Sequence, residues 1–235
     1  MGEERGKVPQ PAVSGAVADF LRKLATAPAP AGPRGRLLFA MDATASREPT
    51  WDRACQIQAE MFQETAALGG LDVQLAYYRG FREFHATPWC SDSATLLKQM
   101  TAVTCLGGQT QIARLLEHAI AETKRQKVNA LVFVGDCMEE DVDRLCHLAG
   151  ELGLLGVPAF IFHEGGEATA ARAFKQIARL TNGAYCPFDR NSARQLRELL
   201  SAVAVYAAGG RKALEDYGRR TGGAALLLTH QVGRS

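Results

Sequence analysis

Apolar residues recur along this chain in short solid runs separated by longer stretches where they fall three and four apart. The runs 36–41 (Arg-Leu-Leu-Phe-Ala-Met), 128–134 (Val-Asn-Ala-Leu-Val-Phe-Val) and 157–162 (Val-Pro-Ala-Phe-Ile-Phe) read as strands buried on both faces. Residues 71–78 and 184–186 read as further strands, and 81–85 as a short one returning after the tight turn Arg79-Gly80. Between them lie helical patterns. Thr50 stands as an N-cap for a helix to Leu68, with Ala54, Ile57, Met61, Thr65 and Leu68 on one face and Gly69-Gly70 as its stop. Further helices are expected over 91–103, 112–124, 141–152, 168–180 and 192–207.

Strands alternating with helices of this length predict an α/β fold. The expected form is a doubly wound, Rossmann-like, mostly parallel six-stranded sheet with one antiparallel edge strand and helices on both faces. In the order 3-2-1-4-5-6 the first and fourth strands are neighbours, about 4.8 Å apart, at the switch point where ligands bind beyond the carboxyl ends. Three segments are expected. Residues 1–34 hold a helix over 14–25, capped by Ser14, and a Pro/Ala-rich linker. Residues 35–209 form the α/β domain, and 210–235 form a helical tail.

The polar residues that interrupt this pattern carry the chemistry. Asp42-Ala43-Thr44-Ala45-Ser46 follows the first strand directly, and Gly135-Asp136 ends the fourth. Gly107-Gly108-Gln109-Thr110 delivers one more hydroxyl from a glycine turn. With strands one and four adjacent, Asp42 and Asp136 face one small volume together with Thr44, Ser46 and Thr110. Two carboxylates and three hydroxyls suit a small hard cation, Mg²⁺ or Mn²⁺, which takes oxygen ligands and releases its water reluctantly. If the carboxylates bind through water, the hydroxyls leave the cation electrophilic, and a carboxylate from a partner can complete its shell.

Composition narrows the alternatives. The chain has 235 residues, is 47% apolar and 22% charged, and carries a net charge of +2. No dense Lys/Arg run points to nucleic acid, and no apolar stretch approaches the ~18 residues of a membrane span. Six scattered cysteines without a CxxC pair and an N-terminus without a signal-peptide core lead to the expectation of reduced thiols in the cytoplasm. Cys137, beside Asp136, reads as a buried, inert thiol. His163-Glu164-Gly165-Gly166-Glu167 lacks the second histidine of a His-Glu-x-x-His site and reads as a loop bordering the cation site. Glu139-Glu140-Asp141 reads as the acidic first turn of a helix.

Asp42, Thr44 and Ser46, then Thr110 after a glycine turn, then Asp136 after the fourth strand resemble the metal-ion-dependent adhesion site of the von Willebrand factor A (VWA) family, over roughly residues 36–206. Thr44 stands where Ser is more usual, Gln109 is inserted into a Gly-Gly-Thr turn, and Arg47 follows Ser46, where its charge is expected to weaken cation binding. The resemblance implies a metal-dependent protein-binding module of the bacterial cytoplasmic type, without catalysis. Its cation would bridge the loops to an acidic residue of a partner protein, and related bacterial members often serve ATPase, chaperone-like or stress-response systems. A Mg²⁺-dependent phosphohydrolase with Asp42 as nucleophile is the alternative enzyme reading. It lacks the second acid that such chemistry needs at position 44. A metal-independent scaffold is the third reading.

Overall fold

The computed structural model describes residues 34–55, 70–188 and 193–232. The helix expected over 14–25, and the part of the next beyond residue 55, lie outside the described residues. Six strands are seen: β1 (Gly35–Asp42), β2 (Leu71–Arg79), β3 (Glu83–Ala86), β4 (Ala130–Gly135), β5 (Ala159–Glu164) and β6 (Ala184–Phe188). They form one sheet in the order β3-β2-β1-β4-β5-β6, parallel except for β3, which pairs antiparallel with β2 at the edge. This is the expected doubly wound arrangement.

The unbroken apolar runs follow from burial on both faces. Leu37, Phe39 and Met41 of β1 point into one core layer, and Leu38 and Ala40 into the other. Helices α2 (Ile112–Arg125), α3 (Val142–Leu154) and α4 (Ala168–Leu180) cover the second layer. On the first lie α1 (Ser93–Thr101), helical residues 48–55, α5 (Ala193–Thr221) and α6 (Gly223–Gln231). The helix after β1 starts earlier than expected. A short 3₁₀ turn, Ala45–Arg47, leads straight into helix at residue 48, so Thr50 lies inside it and is not its cap. The helix expected over 91–103 runs from Ser93 to Thr101, and Asp92 caps it by accepting the Thr95 N–H.

Register does the positioning. Leu37 of β1 stands beside Ala130 of β4, and the pairing runs on to Met41 beside Val134. Asp42 therefore leaves the sheet alongside Gly135, one residue before Asp136.

At the other end of the chain, α5 is interrupted at Gly210, whose φ of 69° is in the left-handed region that glycine adopts without strain. Beyond the break, Leu214, Tyr217, Ala225, Leu228 and Val232 are buried in the same layer as Leu37 and Phe39. Leu228→Ala is therefore expected to cost about 2–5 kcal/mol of unfolding free energy, the range for a buried leucine. Chemical denaturation checks this, and a loss under about 1 kcal/mol would show a loosely attached tail.

Candidate metal centre

The loop after β1 folds back on its own carboxylate. Asp42 is fully buried, and its Oδ1 accepts the Thr44 N–H at 2.8 Å. Its Oδ2 accepts the Tyr78 hydroxyl at 3.3 Å from neighbouring β2. The Thr44 and Ser46 hydroxyls lie 3.3 Å apart, and the Ser46 hydroxyl donates to Asp136 Oδ2 at 3.2 Å. One chain of polar contacts thus runs Asp42, Thr44, Ser46, Asp136, bridging the ends of β1 and β4. Among the described residues Thr110 makes no hydrogen bond with that chain and is held by Glu139 instead. Its hydroxyl accepts the Glu139 N–H at 3.1 Å, and its own N–H donates to Glu139 Oε2 at 3.4 Å. The inserted Gln109 leaves Thr110 buried next to the loop that carries Asp136.

Several residues that hold this loop cluster had no clear signature in the sequence. Gln111 provides no side-chain cap for α2; the Glu140 carboxylate reaches across instead and accepts the Ile112 and Ala113 N–H groups. The acidic triplet is therefore divided: Glu139 meets Thr110, Glu140 caps α2, and Asp141 caps α3 through the Arg144 N–H. The glycine turn is clamped to the β2–β3 turn. A Cβ on Gly108 would stand 2.0 Å from the Gly80 carbonyl oxygen, an approach only glycine permits. The Leu106 N–H donates to the Ala43 carbonyl at 3.0 Å, tying this turn to the Asp42 loop.

His163 and Glu164 do not form a loop; they complete β5 and are buried. His163 Nε2 lies 3.1 Å from the Asp136 carbonyl oxygen and Nδ1 2.8 Å from the Tyr185 hydroxyl. Since a carbonyl only accepts, Nε2 carries the proton and Nδ1 takes the tyrosine hydroxyl. Burial lowers the His163 pKa, which favours this neutral form. Arg47 is fully buried, ion-paired to Glu164, and Glu164 also accepts the Thr50 hydroxyl at 2.5 Å. The charge expected to weaken cation binding is thus matched by a carboxylate, although Arg47 Nε and Nη2 have no hydrogen-bond partner among the described residues.

Electrostatically the centre is anionic and under-satisfied. Burial pushes the Asp42 carboxyl above its ordinary range; the Thr44 N–H opposes this and the nearby Asp136 charge adds to it. Asp136 Oδ1 is buried with no hydrogen-bond partner among the described residues. Asp42, Asp136 and Cys137 each place a ligand atom within 4.8 Å of the others. Cys137 is half-buried and its thiol is pushed up to about 12, by burial first and then by Asp136 and Asp42. A buried orphan oxygen beside a second carboxylate is what a bound cation would relieve, so these residues fit a divalent metal.

No family model matches the chain, and no curated protein matches it. Solved structures do. The SpRpn10 VWA domain superposes with a TM-score of 0.55 at 14% identity, over 76% of this chain and 98% of that one. The vWF domain of the type V pili tip protein Mfa5 from Porphyromonas gingivalis gives 0.56 at 11%, over 74% and 95%. Proximal thread matrix protein 1 from the mussel byssus, with a zinc-occupied MIDAS motif, gives 0.58 at 15%, over 73% of this chain and 46% of that one. At these identities the likeness establishes the fold: this chain has the α/β architecture of VWA domains.

The raised Asp42 pKa fixes a sign. The folded state holds the Asp42 proton more tightly than the unfolded chain does. The stability this gives is full below the unfolded pKa and is lost as pH rises through the folded one. In metal-free buffer at pH 7, Asp42→Asn is therefore expected to melt at or above the wild-type temperature, with the advantage vanishing below about pH 4. A metal-free variant that is less stable by more than about 1 kcal/mol at pH 7 would contradict this.

Proposed function

We propose that this chain is a metal-dependent protein-binding module, whose divalent cation joins its own loops to an acidic side chain of a partner protein. The observation that carries the reading is the continuous set Asp42, Thr44, Ser46 and Asp136 across the ends of β1 and β4, with Asp136 Oδ1 buried and unpaired among the described residues. Thr110, held against Glu139 in the loop that follows Asp136, is the fifth proposed member. The oxygen donors suit Mg²⁺ or Mn²⁺.

The cation supplies a positive centre that a partner's carboxylate can approach. The chain's residues do the rest. Asp42 is held in one orientation by Thr44 and Tyr78. Asp136 is fixed through its carbonyl by His163 and through its side chain by Ser46. The exposed Ser46 and half-buried Asp136 open the centre to solvent, while Asp42 lies beneath. The reading is a binding role without catalysis: Thr44, at the position where an aspartyl phosphatase needs its second acid, cannot donate a proton at neutral pH.

Two neighbouring folds support the reading by their own descriptions, one a pilus tip protein and one with an occupied MIDAS motif. No helix of the described residues is long and apolar enough to cross a membrane. We place the module in the cytoplasm, in line with its six free thiols.

The test is thermal stability of chelator-treated protein titrated with Mg²⁺ and Mn²⁺. A ligand bound only by the folded state adds about 2.7 kcal/mol at a hundredfold excess over Kd. A metal-dependent rise in the wild type that is lost in Asp42→Ala is expected. No rise, or an equal rise in the variant, would contradict a cation at this site.

A further inference from the structure

Cys137 has no part in the oxygen-donor reading, yet its sulfur stands in the same cluster as the two carboxylates. Ligand atoms of Asp42, Asp136 and Cys137 all lie within 4.8 Å of one another. One cation with bonds of about 2.0–2.3 Å can gather that spread with small side-chain rotations. The other cysteines are placed differently. The Cys90 thiol points at the Val73 carbonyl at 3.4 Å and the Cys146 thiol at Gln176 Oε1 at 3.2 Å, while Cys186 is buried in the apolar core.

Resting on the metal-bridge reading above, we infer that Cys137 is a ligand of the centre and makes it selective for a thiophilic divalent cation of the zinc class over Mg²⁺ and Mn²⁺. Three observations carry this. The first is the shared cluster. The second is the buried Asp136 Oδ1, without a hydrogen-bond partner among the described residues, which marks where positive charge is missing. The third is the backbone: His163, from β5, fixes the Asp136 carbonyl. That holds the peptide between Asp136 and Cys137 and so limits how far the thiol can turn away.

The ligand set also matches the cation. Mg²⁺ and Mn²⁺ choose carboxylate, carbonyl and water, whereas thiolate selects zinc and its softer neighbours. Asp42, Asp136 and Cys137 would give such a cation three protein ligands beside the loop hydroxyls, and a partner's carboxylate would complete the shell. On binding, the S–H bond breaks, the sulfur's electron pair forms the bond to the metal, and the proton leaves to solvent. No oxidant or reductant is involved.

The test uses the full chain, reduced and chelator-treated, with Zn²⁺, Cd²⁺ and Mn²⁺ as probes and Cys137→Ser, Cys137→Ala and Asp42→Asn as variants. Zn²⁺ affinity is read by competition with a chromophoric chelator, Mn²⁺ affinity by the stability shift, and thiolate ligation by the ultraviolet sulfur-to-cadmium charge-transfer band. Circular dichroism confirms that each variant is folded. The expected result is a cadmium band in the wild type that disappears in both Cys137 variants. Zn²⁺ affinity is expected to fall about tenfold or more in those variants while Mn²⁺ affinity is unchanged.

A wild type that binds Zn²⁺ and Mn²⁺ without a cadmium band, or a band that survives in Cys137→Ser, would overturn the role of Cys137 and leave the metal centre standing. Equal losses of Zn²⁺ and Mn²⁺ affinity would reduce Cys137 to a packing residue. A wild type that binds none of the three cations, or binds them equally well as Asp42→Asn, would overturn the metal centre itself.

Discussion

Two carboxylates brought together at the carboxyl ends of the two central strands are the constraint on which this site depends. Asp42 and Asp136 follow adjacent parallel strands, and the register between β1 and β4 sets them one residue apart at the same end of the sheet. Like charges in a buried setting raise each other's free energy, and burial alone pushes Asp42 toward its neutral form. A fold that keeps this pair together stores an unfavourable interaction that a cation relieves. Thr44, Ser46 and Tyr78 hold the carboxylates in place but, being neutral, do not cancel their charge.

The surroundings maintain that arrangement from three sides. Glu140 ties the loop after β4 to the start of α2, and so keeps Thr110 against Glu139. His163 holds the Asp136 backbone from β5. The Arg47–Glu164 pair links the turn after β1 to the end of β5 across the intervening β4. A buried ion pair contributes little net stability over an apolar substitute, yet removing one partner costs about 3–5 kcal/mol. Its place here therefore fixes geometry more than it adds to stability. It also separates the Arg47 charge from the cation site, because Glu164 matches it.

Much of this was legible in the sequence, for identifiable reasons. Strands covered on both faces must be apolar at consecutive positions, so β1, β4 and β5 were visible as runs, and alternation with helices implied the strand order. The motif residues were visible because each follows a strand end directly. Interactions that join distant positions were not. Glu140 looks like any acidic residue before a helix, and nothing local shows that it caps α2 instead of α3. His163 and Glu164 look polar and loop-like because their burial is made possible by Tyr185 and Arg47, far away in sequence. Thr50 has the residue type of a cap, but the 3₁₀ turn after Ser46 starts the helix before it. Cys137 reads as an inert neighbour of Asp136 in the sequence, and only the fold shows that its sulfur lies within 4.8 Å of oxygens of both carboxylates.

The likeness to VWA domains extends over about three quarters of the chain and is a likeness of fold. The proposed binding site rests on the local chemistry at β1 and β4, and the most direct measurement is a crystal structure of Mn²⁺-soaked protein with anomalous scattering. The expected result is a single strong anomalous peak among Asp42, Ser46 and Asp136, absent in crystals of Asp42→Ala. No peak between those side chains at saturating Mn²⁺, or one that persists in the variant, would contradict a metal centre built on the two carboxylates.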